Sequence, residues 1–129
     1  MAIKVLVVDD EPLIHRLLHH HLEKAGFIPL HANDGQEALE VVQKESPNLI
    51  VMDVMMAELD GLSTLRQLRK GDATKAIPVI IMTANWEAIV KQESEVAGAS
   101  LFMTKPFSPA QLLAQIRKFI PENSLVAAA

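Results

Sequence analysis

Three short apolar runs, Ile3–Val8, Leu49–Met52 and Ile77–Met82, interrupt the chain without alternating with polar residues. They are rich in Val and Ile. Strands buried on both faces carry that pattern, and such strands belong to parallel sheets covered by helices. Two weaker runs, Phe27–His31 and Ser100–Met103, predict two further strands. Between the runs the apolar positions change to helical spacing. In Pro12–Ala25 they are Ile14, Leu17, Leu18, Leu22 and Ala25, with Pro12 in the first turn and Gly26 as a stop. Asp34 with Glu37 reads as a capping box that opens Gly35–Glu45, where Ala38, Val41 and Val42 share a face. Asp60 can cap Gly61–Lys70, with Leu62, Leu65 and Leu68 inward. Asn85–Ala97 is less regular, and Trp86, Ile89, Val90, Val96 and Ala97 are its candidate inward positions. Ser108 with Gln111, and Pro109 at the first helical position, opens a last helix with Leu112, Leu113, Ile116, Phe119 and Ile120 inward and Pro121 at its end.

Strand and helix alternate about five times through short connections, which predicts an α/β doubly wound sheet with right-handed crossovers. One domain over residues 1–121 is expected, with 122–129 as an unstructured tail. The length of 129 residues fits one domain of about 100–150. A 50% hydrophobic composition excludes disorder. The lack of cysteine excludes a disulfide framework, a thiolate zinc site and a cysteine nucleophile. Twelve basic against 16 acidic residues give a net charge of −4, and there are one Trp, four Phe and no Tyr. That balance argues against nucleic acid, whose phosphates need clustered cations and whose bases need aromatic platforms. No run has the length and purity of a membrane span, and Met1–Lys4 does not begin a secretory leader, so a cytoplasmic protein is expected.

The residues that end the runs carry the chemistry. Ile3–Val8 ends in Asp9-Asp10, Leu49–Met52 in Asp53, Ile77–Met82 in Thr83, and the last run in Thr104-Lys105-Pro106. Open α/β sheets bind ligands outside the carboxyl ends of their strands, at the switch point between crossovers. Asp9, Asp10, Asp53, Thr83 and Lys105 should therefore meet in one crevice. Each alone has a plainer reading, since an Asp after a strand is usually a helix cap and a Lys is usually solvated. Complementary chemistry at four strand ends is the stronger signal. Two carboxylates on neighbouring strands, about 5 Å apart, repel by roughly 3 kcal/mol at an effective dielectric of 20. One Lys does not offset three such groups, so either a carboxylate holds a proton or a cation joins them. An all-oxygen set with room for a phosphate oxygen suits Mg²⁺, and zinc less well. Metal, ammonium and hydroxyl around a carboxylate make a phosphoryl-binding arrangement, with Asp53 on a central strand as the nucleophile.

Val-Leu-Val-Val-Asp-Asp-Glu-Pro (5–12), Asp-Gly-Gln-Glu-Ala-Leu (34–39), Leu-Ile-Val-Met-Asp (49–53), Asp-Gly (60–61), Pro-Val-Ile-Ile-Met-Thr-Ala (78–84), Gly-Ala (98–99) and Thr-Lys-Pro-Phe (104–107) stand in this order. Together they resemble the receiver domain of two-component response regulators over about Ile3–Ile120. The resemblance implies a flavodoxin-like three-layer sandwich, with a five-stranded parallel sheet of order 2-1-3-4-5 and five helices. It implies that Asp53 accepts a phosphoryl group from a histidine kinase or histidine phosphotransfer protein. Asp10, Asp53 and the Met55 carbonyl would ligate Mg²⁺, for which Mn²⁺ can substitute, and Asp9 would act through water. Lys105 would pair with the phosphoryl group, across a cis Lys105–Pro106 peptide. Thr83 and Phe102 would be the switch residues, passing the signal to a surface of the fourth helix, fifth strand and fifth helix that a downstream effector reads. A phosphorylation-dependent homodimer is compatible with this reading.

Some positions depart from the family pattern. Ala57 replaces a common Pro four residues after the acceptor, and Phe102 offers no hydroxyl. Ser100 and Leu101 stand where acidic residues are common, and Met55 and Asn85 flank the pocket. Such a domain catalyses its own phosphorylation and dephosphorylation but turns over no outside substrate, so it is not classed as an enzyme. Two other readings compete. An Asp-nucleophile phosphohydrolase usually carries a second Asp two residues after the first, where this chain has Met55. A pseudo-receiver that binds without phosphate usually loses an acidic, Thr or Lys position, and none is lost here. His15, His19, His20 and His21 crowd one predicted helix. His15 and His19 are one turn apart, a metal-binding spacing, but no third ligand type is nearby, and a solvated face is the plainer reading. A phosphohistidine relay would need a helical bundle, which the pattern does not predict. The six Met residues read as core filling, and Trp86 as packing near Thr83.

Overall fold

The computed structural model describes residues 2–54, 61–84, 88–105 and 108–120. Its elements alternate as expected: β1 (Lys4–Val8), α1 (Pro12–Lys24), β2 (Ile28–Ala32), α2 (Gly35–Glu45), β3 (Leu49–Asp53), α3 (Gly61–Lys70), β4 (Val79–Thr83), α4 (Ala88–Ala97), β5 (Leu101–Thr104) and α5 (Pro109–Lys118). The strands form one parallel sheet in the order β2-β1-β3-β4-β5. This is the flavodoxin-like arrangement.

Side chains on a strand alternate between faces, and the two cores divide accordingly. Leu6, Val8, Ile50, Met52, Val79 and Ile81 pack with Ala38, Val42, Leu65, Leu68 and Ala97 of α2, α3 and α4. Val5, Val7, Leu49, Val51, Ile80 and Met82 pack with Leu18 and Leu22 of α1 and Leu112 and Ile116 of α5. The helices thus cover both faces and diverge between β1 and β3. That divergence leaves a crevice at the carboxyl rim.

Local chemistry sets the boundaries. Pro12 opens α1 and Pro109 opens α5, where an N–H would lack a partner anyway. At α5 the box is complete, with Ser108 accepting from the Gln111 N–H and Gln111 from the Ser108 N–H. At α2, Asp34 accepts from the Glu37 N–H at 2.8 Å, while the Glu37 carboxylate takes the Asn33 amide. The expected caps by Asp60 and the placements of Trp86, Pro121 and the 122–129 tail lie outside the described residues.

Three readings change. The fourth strand begins at Val79, not at Ile77, because Pro78 has no N–H to give the ladder. Val96 is 82% exposed and not inward. The inner face of α4 runs through Val90, Ser94 and Ala97, and the buried Ser94 hydroxyl is satisfied by the Val90 carbonyl at 2.8 Å. Leu17 is 41% exposed, because Leu18 and Leu22 take the core side of α1.

Gly61 lets α3 start against the end of β3. A Cβ there would meet the Asp53 carbonyl oxygen and the Val54 Cα, the latter at 2.6 Å, and backbone cannot yield as a side-chain tip can. Gly61→Ala is expected to destabilise the fold by about 1–3 kcal/mol in denaturant titration, despite the better helix propensity of Ala.

Candidate functional site

Parallel pairing brings the predicted residues to one rim. Val8 pairs with Met52, Asp53 with Met82, and Thr83 with Thr104. Asp9 and Lys105 each follow the last residue of a strand, and both extend the ladder, through Asp9 N–H to the Ala32 carbonyl and Lys105 N–H to the Thr83 carbonyl. Asp53 and Thr83 are themselves the last residues of β3 and β4. Asp9, Asp53 and Thr83 are all buried, whereas Asp10 is exposed.

Lys105 holds the acidic residues together. Its Nζ donates to Asp9 Oδ2 at 2.8 Å, to Asp53 Oδ2 at 3.0 Å and to Glu11 Oε1 at 3.3 Å. Burial opposes its charge, but the hydrogen bonds to Asp9 and Asp53 and their negative charges outweigh burial and raise its pKa. The ammonium therefore stays charged through neutral pH. Asp9 Oδ1 accepts from the Glu11 N–H at 2.8 Å, so both Asp9 oxygens hold protein donors.

Oxygens of Asp9, Asp10, Glu11 and Asp53 lie within 4.8 Å of one another. Magnesium holds oxygen ligands at about 2.0–2.1 Å, so opposite ligands stand about 4.2 Å apart, and these oxygens would have to draw in by about half an ångström to share one such ion. Glu11 was not singled out by the sequence. Its signal was its place directly after Asp9-Asp10. Phe102 is half-buried against the α2–α4 core, on the same face as its register partner Ile81. Met55, Ala57, Asn85, and Pro106 with the expected cis peptide lie outside the described residues.

A second polar group was only half visible in sequence. His31 of β2 lies between His15 and His19 of α1. His15 Nδ1 is 2.7 Å from His31 Nδ1, and His19 Nδ1 is 2.8 Å from His31 Nε2. The partner that counting along the helix does not reach is thus another histidine, on the neighbouring strand. Burial, then the nearby His15 and His19, lower the His31 pKa to about 4. A depressed pKa means that the unfolded chain binds the proton first. Stability is therefore unaffected above pH 6.5 and declines as pH falls from 6.5 towards 4. Solvent screening of this half-buried group leaves about 1 kcal/mol of that linkage. His31→Gln should flatten this part of the pH–stability curve, measured by urea unfolding.

The family profile described as Response regulator receiver domain matches residues 5–117. The chain is 40% identical over 124 residues to the alkaline phosphatase synthesis transcriptional regulatory protein PhoP of Bacillus subtilis, covering 96% of this chain and 51% of that protein. It is 43% identical over 117 residues to a probable transcriptional regulator, ycf27, of Cyanophora paradoxa, covering 91% and 48%. It spans about half the length of these curated relatives. The chemotaxis response regulator CheY4 of Vibrio cholerae superposes with a TM-score of 0.87 at 32% identity, over 93% of this chain and 100% of that one. The receiver domain of the Francisella response regulator 1452 gives 0.83 at 36% identity, over 90% and 94%. With the sheet order, the acidic rim and these likenesses in agreement, the chain belongs to the response regulator receiver domain family.

Proposed function

We propose that this domain is a phosphorylation switch whose acceptor is Asp53. The observation that carries the reading is a buried Asp53 carboxylate 3.0 Å from the Lys105 ammonium, beside the acidic group of Asp9, Asp10 and Glu11. An Asp53 oxygen attacks the phosphorus of a phosphohistidine on a histidine kinase or phosphotransfer protein. The P–N bond breaks, its electron pair leaves with the imidazole, and an acyl phosphate remains on Asp53. Lys105 is charged before transfer and pairs with the new phosphoryl oxygens. Asp10 and Asp53 would hold Mg²⁺, with Asp9 acting through water, which suits an Asp9 whose oxygens already hold Glu11 and Lys105 donors. The ion supplies charge neutralisation on the phosphoryl oxygens when bound.

Thr83 stands at the same rim and gives the phosphoryl group a hydroxyl donor. Its movement frees space for Phe102 and changes the surface of α4, β5 and α5 that an effector reads. The domain turns over no outside substrate and acts in the cytoplasm. Among the described residues no helix is long and apolar enough to cross a membrane.

The test is incubation with a small-molecule phosphodonor and Mg²⁺, followed by intact mass. The wild-type chain should gain one phosphoryl group and Asp53→Ala none. A gain that survives Asp53→Ala refutes the assignment.

A further inference from the structure

The histidine group on α1 and β2 has no part in the proposed phosphotransfer, yet it is built like a ligand set. Its outer nitrogens are already held. His15 Nε2 lies 2.7 Å from the Asp9 carbonyl oxygen, which only accepts, so Nε2 carries the proton. His19 Nε2 lies 3.3 Å from a Glu23 carboxylate oxygen. In metal sites a ligating imidazole generally gives its second N–H to a carbonyl or a carboxylate, which fixes its tautomer and aim. Here the carbonyl partner is in place at His15, and a Glu23 carboxylate stands near His19, one helical turn on. His15 Nδ1 therefore accepts from the His31 Nδ1–H, and the neutral His31 keeps a lone pair at Nε2, so His19 Nδ1 donates to it and must give up that proton before it can ligate an ion.

We propose that His15, His19 and His31 form a second cation site, separate from the acidic rim, that takes a late first-row divalent ion such as Zn²⁺. Imidazole donors select such ions over Mg²⁺, which prefers oxygen. His31 is neutral at physiological pH and so available as a ligand. The three rings line one cavity of about 400 Å³ with Arg16, His20 and Glu23. His19 is 46% exposed there, which gives an ion access. Arg16 opposes a cation and Glu23 favours one.

As placed, the rings bond to each other. Tetrahedral zinc with bonds of about 2.0–2.1 Å separates its ligand atoms by about 3.3 Å. His31 meets the two rings with different nitrogens, Nδ1 and Nε2, so one of the contacts of 2.7 and 2.8 Å must break while the other opens, and the His15 and His19 Nδ1 atoms must draw together. His31 must also pivot from between the other two rings, so that one of its nitrogens joins both Nδ1 atoms. Loading thus exchanges a chain of imidazole hydrogen bonds for metal bonds.

The experiment is calorimetric titration of Zn²⁺ into the whole chain at neutral pH, with excess Mg²⁺ to occupy oxygen donors. One ion per chain is expected. His31→Gln and His19→Gln should each weaken binding by about tenfold or more, and His21→Gln should leave it unchanged. His19→Gln alters a half-exposed position, so its fold is secure, and circular dichroism checks both variants. Imidazole ¹⁵N spectra should show metal at Nδ1 of His15 and His19. Three results each overturn the proposal: no binding, binding that Mg²⁺ displaces, or an affinity that His31→Gln and His19→Gln leave unchanged. The last result would assign the ion to surface histidines such as His20 and His21.

Discussion

Lys105→Met is expected to cost the fold about 3 kcal/mol when Mg²⁺ is absent, with part of the loss recovered when Mg²⁺ is added. The ammonium donates to two carboxylates that are almost out of water, Asp9 at 0% and Asp53 at 6% side-chain exposure. Methionine keeps the length of the stem and removes the charge. Breaking a buried ion pair from one side typically costs 3–5 kcal/mol, because the partner charge stays behind in a poor solvent. The lower end applies here, since one carboxylate can take a proton and relieve the other. A divalent cation restores counter-charge from the open side of the site. Urea titrations with and without Mg²⁺ measure both effects. Equal midpoints for variant and wild type in metal-free buffer would show that Lys105 does not balance the acidic group.

The second large effect separates chemistry from stability. Asp10 contributes to the acidic group but is exposed, so Asp10→Asn should change stability by no more than about 0.5 kcal/mol. If Asp10 is a direct magnesium ligand, the amide removes a full charge from the ion's surroundings. Mg²⁺ affinity should then fall by about tenfold or more, and phosphoryl loading from a small donor should slow by about 10²-fold. Loading rates across a magnesium series give the answer. An unchanged rate at limiting Mg²⁺ would remove Asp10 from the metal site.

The sheet and its rim were legible because their signals are redundant. Val-Ile runs without alternation identify strands covered on both faces, and in a parallel sheet every strand ends at the same rim. Asp9, Asp53, Thr83 and Lys105 could therefore be gathered from sequence although Lys105 lies 96 positions from Asp9. The helix faces were less legible. Val96 reads as core by type, yet the inward place goes to Ser94, whose hydroxyl closes onto the Val90 carbonyl of its own helix. A polar residue satisfied locally leaves no trace in an apolar pattern. The histidine group was missed for a different reason. His15 and His19 share a helix and can be paired by counting, but His31 reaches them only through the packing of α1 on β2. Glu11 escaped notice because its carboxylate reaches Lys105 from the first turn after β1, and not from a strand end.

The most direct measurement is to locate the phosphoryl group. The chain is loaded from a small phosphodonor with Mg²⁺, reduced with borohydride to convert an acyl phosphate into homoserine, and read by peptide mass. The account predicts conversion at Asp53 alone. Conversion at Asp9, Asp10 or Glu11, or a phosphoryl group carried on His15, His19 or His31, would contradict it.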